Sequence, residues 1–81
     1  MLANDMRKGD EGRLLNGWKF RIEDNRKGLS RLATVWGYET EIGSVYVHDI
    51  AYVDTLDGRR ERIELSKTQA ARVAAIRAAG F

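Results

Sequence analysis

The pair Asn16-Gly17 stands between the short run Arg13-Leu14-Leu15 and an alternating stretch that begins at Trp18, and no other feature constrains this chain as much. Asn and Gly both tolerate positive φ, so the pair predicts a type I′ turn joining two antiparallel strands. Beyond it, Trp18, Phe20 and Ile22 alternate with Lys19, Arg21 and Glu23. Successive side chains of a strand point to opposite faces, so this strand has one apolar and one charged face. Any fold of this chain must bury the first set and solvate the second.

More strands follow. Asp24-Asn25-Arg26-Lys27-Gly28 reads as a looser turn with Gly28 at a left-handed position, and residues 29–37 as a third strand rich in β-formers towards its end. Residues 38–43 are polar and read as a loop or bulged strand, residues 44–47 as a short strand, and residues 48–50 as a tight turn. Residues 51–56 are extended. Asp57-Gly58 is a second hairpin signal, with residues 60–65 as the returning strand. The expected core is Trp18, Phe20, Ile22, Val35 and Ile50.

One helix is written into the sequence. Ser66 followed by Gln69 forms a capping box, which satisfies backbone amides at a helix start. Leu65 before the cap is placed to staple against Ala70. The alanine-rich segment to Ala79 favours helix, and Gly80 sits where a terminating glycine belongs. Ala70, Val73, Ile76 and Ala79 make a narrow stripe, which predicts a helix over 66–79 lying as a lid on a β-barrel.

Eighty-one residues make one domain, with a core as thin as small size dictates. The absence of cysteine removes disulfides and thiolate metal sites. No apolar run approaches the ~20 residues that span a bilayer, and residues 1–10 lack the core of a signal peptide. A soluble, cytoplasmic protein is expected. Residues 7–31 carry eight Lys or Arg against four acids, residues 32–58 carry five acids and no Lys or Arg, and residues 59–81 carry six Lys or Arg against two acids. This basic–acidic–basic order either builds a basic face for a polyanion or cancels when the fold brings the blocks together.

The opening Lys8-Gly9-Asp10, with Leu14, Gly17 and Ile22 after it, and the later Val45-Tyr46-Val47-His48-Asp49-Ile50 resemble an SH3-like small barrel of the KOW or translation-protein type. The resemblance covers roughly residues 6–53. It implies a mainly β fold, with the hairpin of residues 50–65 and the C-terminal helix as additions. The stretch from Thr40 to Ile50, followed by a hairpin and an Ala-rich helix ending Ala78-Ala79-Gly80-Phe81, is similar to small proteins of tailed phages and prophages.

For function, Trp36 and Tyr38, read as sharing a strand face on either side of Gly37, could form a stacking platform for bases or peptides. Lys19, Arg21, Arg26, Lys27 and Arg31 are expected on one outer face of neighbouring strands, with Arg59 and Arg60 as a second basic cluster. The alternative for each is a solvated face or a core rim. His48 beside Asp49 does not make a catalytic pair, because adjacent residues of an extended chain point apart. Glu39 and Glu41 have no general acid to work with. No nucleophile, metal cluster or cofactor fingerprint is visible, so no cofactor is expected. The leading reading is a non-enzymatic module that binds a macromolecule, nucleic acid or protein, through an aromatic and basic face. A second is a phage accessory protein that grips and inhibits a host or defence protein, and a third is a subunit that self-associates through its helix.

Overall fold

The computed structural model describes residues 1–80, so Phe81, the last residue of the ending quoted above, lies outside them. Among the described residues six antiparallel strands form one sheet: β1 (Glu11–Leu14), β2 (Lys19–Ile22), β3 (Ser30–Trp36), β4 (Thr40–Tyr46), β5 (Ile50–Asp54) and β6 (Arg60–Glu61). Their order is β4-β3-β2-β1-β5-β6. The first four strands run as a meander; a 3₁₀ turn at Val47–Asp49 then sends β5 back beside β1. An α-helix, α1 (Lys67–Ala78), follows.

The expected closed barrel is not formed. Among the described residues no ladder joins β4 to β5 or β6, and the sheet keeps two edges. The returning strand after Asp57-Gly58 is also shorter than residues 60–65. It gives way to an isolated parallel bridge between Leu2 and Glu64, where Ala3 N donates to Glu64 O and Glu64 N to Met1 O. The N-terminal segment thereby takes the place of a longer β6. It also delivers Ala3 and Met6 into the core with Phe20, Ile22, Ala33, Val45, Val47, Ile50 and Val53.

Both hairpin turns are where Asn-Gly and Asp-Gly predicted them, but neither is type I′. Among the described residues only glycines have positive φ, Gly17 at +90° and Gly58 at +89° included. Gly17 N donates to Leu14 O and Leu14 N to Trp18 O; Gly58 N donates to Thr55 O and Thr55 N to Arg59 O. Each is a three-residue loop, a type I turn closed by a left-handed glycine, with Asn16 or Asp57 at the preceding right-handed position.

The alternation of β2 holds: Phe20 and Ile22 are fully buried, with Lys19 and Arg21 on the other side. Trp18 is an exception to the expected core. It precedes the strand proper, remains 38% exposed and rests its ring on Gly37, where a Cβ would lie 2.6 Å from the indole. Val35 is half-buried against the core. Of the two readings of residues 38–43, loop or bulged strand, the strand is formed: most of the segment belongs to β4, which pairs with β3 along its whole length from Thr40 to Tyr46.

The helix starts as its capping box requires: Gln69 N donates to Ser66 Oγ at 3.1 Å and Ser66 N to Gln69 Oε1 at 3.0 Å. It does not roof the sheet. Its buried residues are Gln69 and Val73, Ala70 and Ala79 are exposed, and no strand packs extensively along it. A polar anchor holds it instead, because Gln69 Nε2 donates to Gly28 O at 2.8 Å and to Asn4 Oδ1 at 3.2 Å.

Candidate functional site

The cross-strand register defines the outer face. Arg21 pairs with Glu11 and Thr34, Glu11 with Asp54, and Asp54 with Arg60. The next row carries Trp36, Lys19, Arg13 and Tyr52. Lys19 Nζ lies 5.3 Å and the Arg21 guanidinium 5.4 Å from the Trp36 ring, while Arg60 stacks on Tyr52 at 4.1 Å. Cations and aromatics thus share this face, at distances where cation–π attraction operates.

Most of those cations are already paired within the chain. Lys19 meets Glu11 at 3.1 Å, Arg21 meets Glu23 at 3.0 Å, Arg26 meets Asp24 at 3.2 Å, Arg59 meets Asp57 at 3.2 Å and Arg60 meets Asp54 at 2.8 Å. The Thr34 hydroxyl donates to Glu23, and with Arg21 it holds that carboxyl below its ordinary value. Arg60 does the same to Asp54 and is itself raised by the pair. The Asp57 carboxyl is lowered chiefly by the Thr55 hydroxyl and then by Arg59. Of the cations assigned to the face from sequence, Lys27 alone is exposed with no ion pair among the described residues.

Arg31 is not on this face. It pairs with Val45 on the inner side and is fully buried. Its guanidinium donates to Gly28 O at 3.0 Å, Ser30 O at 2.8 Å, Ala3 O at 3.1 Å and Asn4 Oδ1 at 3.0 Å. Burial pushes its pKa below the ordinary arginine value, against a smaller upward pull from Asp24. Arg31 is a strut that joins the N-terminal segment to the β2–β3 turn. Strand parity betrays this: counting back from buried Ala33 places residue 31 inside.

Trp36 and Tyr38 do not form a joint platform either. Trp36 ends β3 on the outer face, half-buried beneath Lys19 and Arg21. The chain turns at Gly37, whose N donates to Glu39 O, and this breaks the alternation on which a shared face depended. Tyr38 swings to the opposite side, where its ring meets Trp18 edge-on at 5.6 Å while remaining 97% exposed.

A second surface was not legible beforehand. Because the sheet stays open, part of its inner face beside β4 is uncovered. It forms a groove of about 250 Å³ floored by Leu14, Trp18, Val35 and Val45, with the carboxylates of Glu41 and Asp49 at its sides. Around it stand exposed apolar side chains: Tyr38, Tyr46, Ile42 on the far face of β4, and Leu15, whose N donates to Asp49 O. Tyr46 also stacks on His48 at 5.2 Å. A larger open cleft, about 950 Å³, lies at the other end and mixes Arg7, Lys8, Lys27 and Arg59 with Asp5, Asp10, Asp57 and Glu61. Among the described residues no cluster of three or more His, Asp or Glu is placed to hold a metal ion, and no helix is long and apolar enough to cross a membrane.

No family model, curated protein or solved structure matches this chain.

Proposed function

We propose that this chain is a non-enzymatic protein-binding module of SH3-like connectivity, working through the apolar surface around β4. The connectivity supports the architectural half of the reading: a four-strand meander, a 3₁₀ turn, and a fifth strand returning beside the first. One observation carries the functional half. Five of the seven cations assigned to a binding face from sequence are held by the chain's own acids, whereas Tyr38, Leu15 and Tyr46 stand open around the groove beside β4, 97%, 68% and 52% exposed. Scattered exposed apolar residues are ordinary, but a contiguous group beside a concave apolar strip is the usual mark of a protein interface.

Tyr38→Ala and Leu15→Asp test this reading, because both side chains are exposed enough for substitution to spare the fold. Parent and variants are immobilised and used to capture protein from a lysate of the encoding organism. A discrete partner retained by the parent and lost by both variants is the expected result. Equal capture by all three, or none, refutes it.

A second reading has its own observation: Trp36 lies between two cations on the outer face, an arrangement that can stack a nucleobase while neutralising its phosphate. It predicts that oligonucleotides bind with a steep negative slope against log salt, and that Trp36→Ala weakens binding by about 1–3 kcal/mol. Absence of binding at low salt removes it.

A further inference from the structure

We infer that the free edge of β4 captures an extended, basic segment of another protein as a seventh strand, with apolar side chains filling the groove beside Gly43 and Lys or Arg facing Glu41 and Asp49. The inference rests on the protein-binding reading above and names the partner's chemistry.

The two edges of the sheet are built differently. β6 is two residues long and carries Arg60, and short, charged edges resist pairing with other strands. β4 runs for seven residues, Thr40–Tyr46, and contains neither proline nor lysine. Its one neighbour is β3, so half of its backbone donors and acceptors face outward. Such an edge is the template for strand addition, in which main-chain hydrogen bonds supply affinity and alternate side-chain pockets supply specificity.

Gly43 is the second observation. It stands in the middle of β4, where glycine weakens a strand by forgoing side-chain packing and by its backbone entropy. Nothing inside the chain asks for it. Its φ is not among the positive ones, and a Cβ built there meets no atom within 4 Å. Compare Gly12, where a Cβ would strike Tyr52 O, and Gly37, where it would strike Trp18. A glycine that the fold does not use, on an open edge and lining the groove, keeps room for a chain arriving from outside.

Charge selects the occupant. Asp54 and Asp57 are matched to Arg60 and Arg59, which leaves Glu39, Glu41 and Asp49 without an ion pair among the described residues. Residues 32–58 contain no Lys or Arg to answer them. Glu41 shares the inner face with Gly43 and Val45, so it projects to the side where an added strand would place every second residue. A second copy of this chain docked through β4 would bring its own Glu41 to the same edge. A cationic strand relieves that repulsion, and an acidic one compounds it.

The test uses the acetylated, amidated heptapeptide Lys-Thr-Val-Thr-Val-Thr-Lys, which puts two Val flanked by two Lys on one strand face in either direction. Controls replace both Lys by Glu, or N-methylate alternate residues to remove strand donors. Binding is followed by amide chemical shifts and Trp fluorescence. The expected result is saturable binding with the largest shifts in residues 40–46, weakened at least about tenfold by either control. Gly43→Val and Glu41→Lys should each weaken it by a similar factor, and Gly43→Val should not lower the melting temperature. Equal binding of the Lys and Glu peptides, shifts centred elsewhere, no binding, or full affinity in Gly43→Val each overturns the inference. So does sedimentation showing a dimer that protects the β4 amides, since a second copy would then be the occupant. If the peptide fails while capture sensitive to Tyr38→Ala persists, strand addition falls alone; if both fail, the protein-binding reading falls with it.

Discussion

Replacing Arg31 by Met removes a buried guanidinium that makes four hydrogen bonds, to the carbonyls of Ala3, Gly28 and Ser30 and to the Asn4 side chain. Hydrogen bonds from a charged donor contribute about 1.5–3 kcal/mol each, so the gross loss is large. Much of it is offset. Taking an ion out of water costs several kcal/mol, and among the described residues no carboxylate forms an ion pair with Arg31 to repay it. Three of the four acceptors also keep another donor: Gly28 O and Asn4 Oδ1 keep Gln69 Nε2, and Ala3 O keeps Met6 N. A buried acceptor left short of one bond costs about 1 kcal/mol, and Met restores some apolar burial. The net expectation is a loss of about 2–3 kcal/mol, against a total near 4–12 kcal/mol for a chain of this length. With a urea m value near 1 kcal/mol/M, the midpoint falls by roughly 2–3 M. The comparison that isolates the cause is charge reversal at two positions. Arg21→Glu perturbs a half-exposed pair on the outer face and should cost about 1 kcal/mol. Arg31→Glu drives a carboxylate against four acceptors and should abolish cooperative folding. Urea melts read by fluorescence of Trp18 and Trp36 and by circular dichroism measure all three variants. An Arg31→Met midpoint within error of the parent, or Arg31→Glu melting like Arg21→Glu, refutes the strut.

Three further outcomes are expected. Ile22→Ala removes a fully buried side chain from the centre of β2 and should cost about 2–5 kcal/mol in the same melts. Gly12→Ala drives a methyl into Tyr52 O and to 3.0 Å from Val53 Cα, so β1 and β5 must part; loss of slow-exchanging amides in both strands is the signature, whereas Gly43→Ala leaves them protected. Glu23 has a carboxyl held below its ordinary value of 4.5 by Thr34 and Arg21, so its contribution to stability is present above that value and lost as pH falls through the lower folded one. Melting temperatures of the parent should therefore fall on acidification through this window, and Glu23→Gln should flatten the fall; superimposable profiles would exclude the carboxylate as the cause.

Features whose physics is complete within a few residues were legible in the sequence. The Ser66–Gln69 capping box needs one turn of chain, and it stands as read. Asn16-Gly17 and Asp57-Gly58 announce a reversal because a glycine can take positive φ at negligible cost. They did not specify the turn type, since the twist and register of the flanking strands select between two loops that both accept the same pair. Phe20 and Ile22 declare their side of β2 by alternation alone. Arg31 obeys the same parity, yet its charge suggested solvent. The Ala3 carbonyl and the Asn4 side chain, supplied by a remote segment, join the nearby carbonyls of Gly28 and Ser30 to make its burial tolerable. Ala3 and Met6 carry no periodic signal and enter the core only because the N-terminal segment bridges to Glu64. Trp36 and Tyr38 part because the chain turns at Gly37, which strict alternation does not foresee. The groove exists because β4 pairs on one side only. Alternation, caps and turn residues act through bonds to near neighbours and can be read in one dimension. Which edge stays open, which charge finds carbonyls and which glycine is left without a neighbour depend on contacts between remote segments, and those are settled only when the sheet assembles.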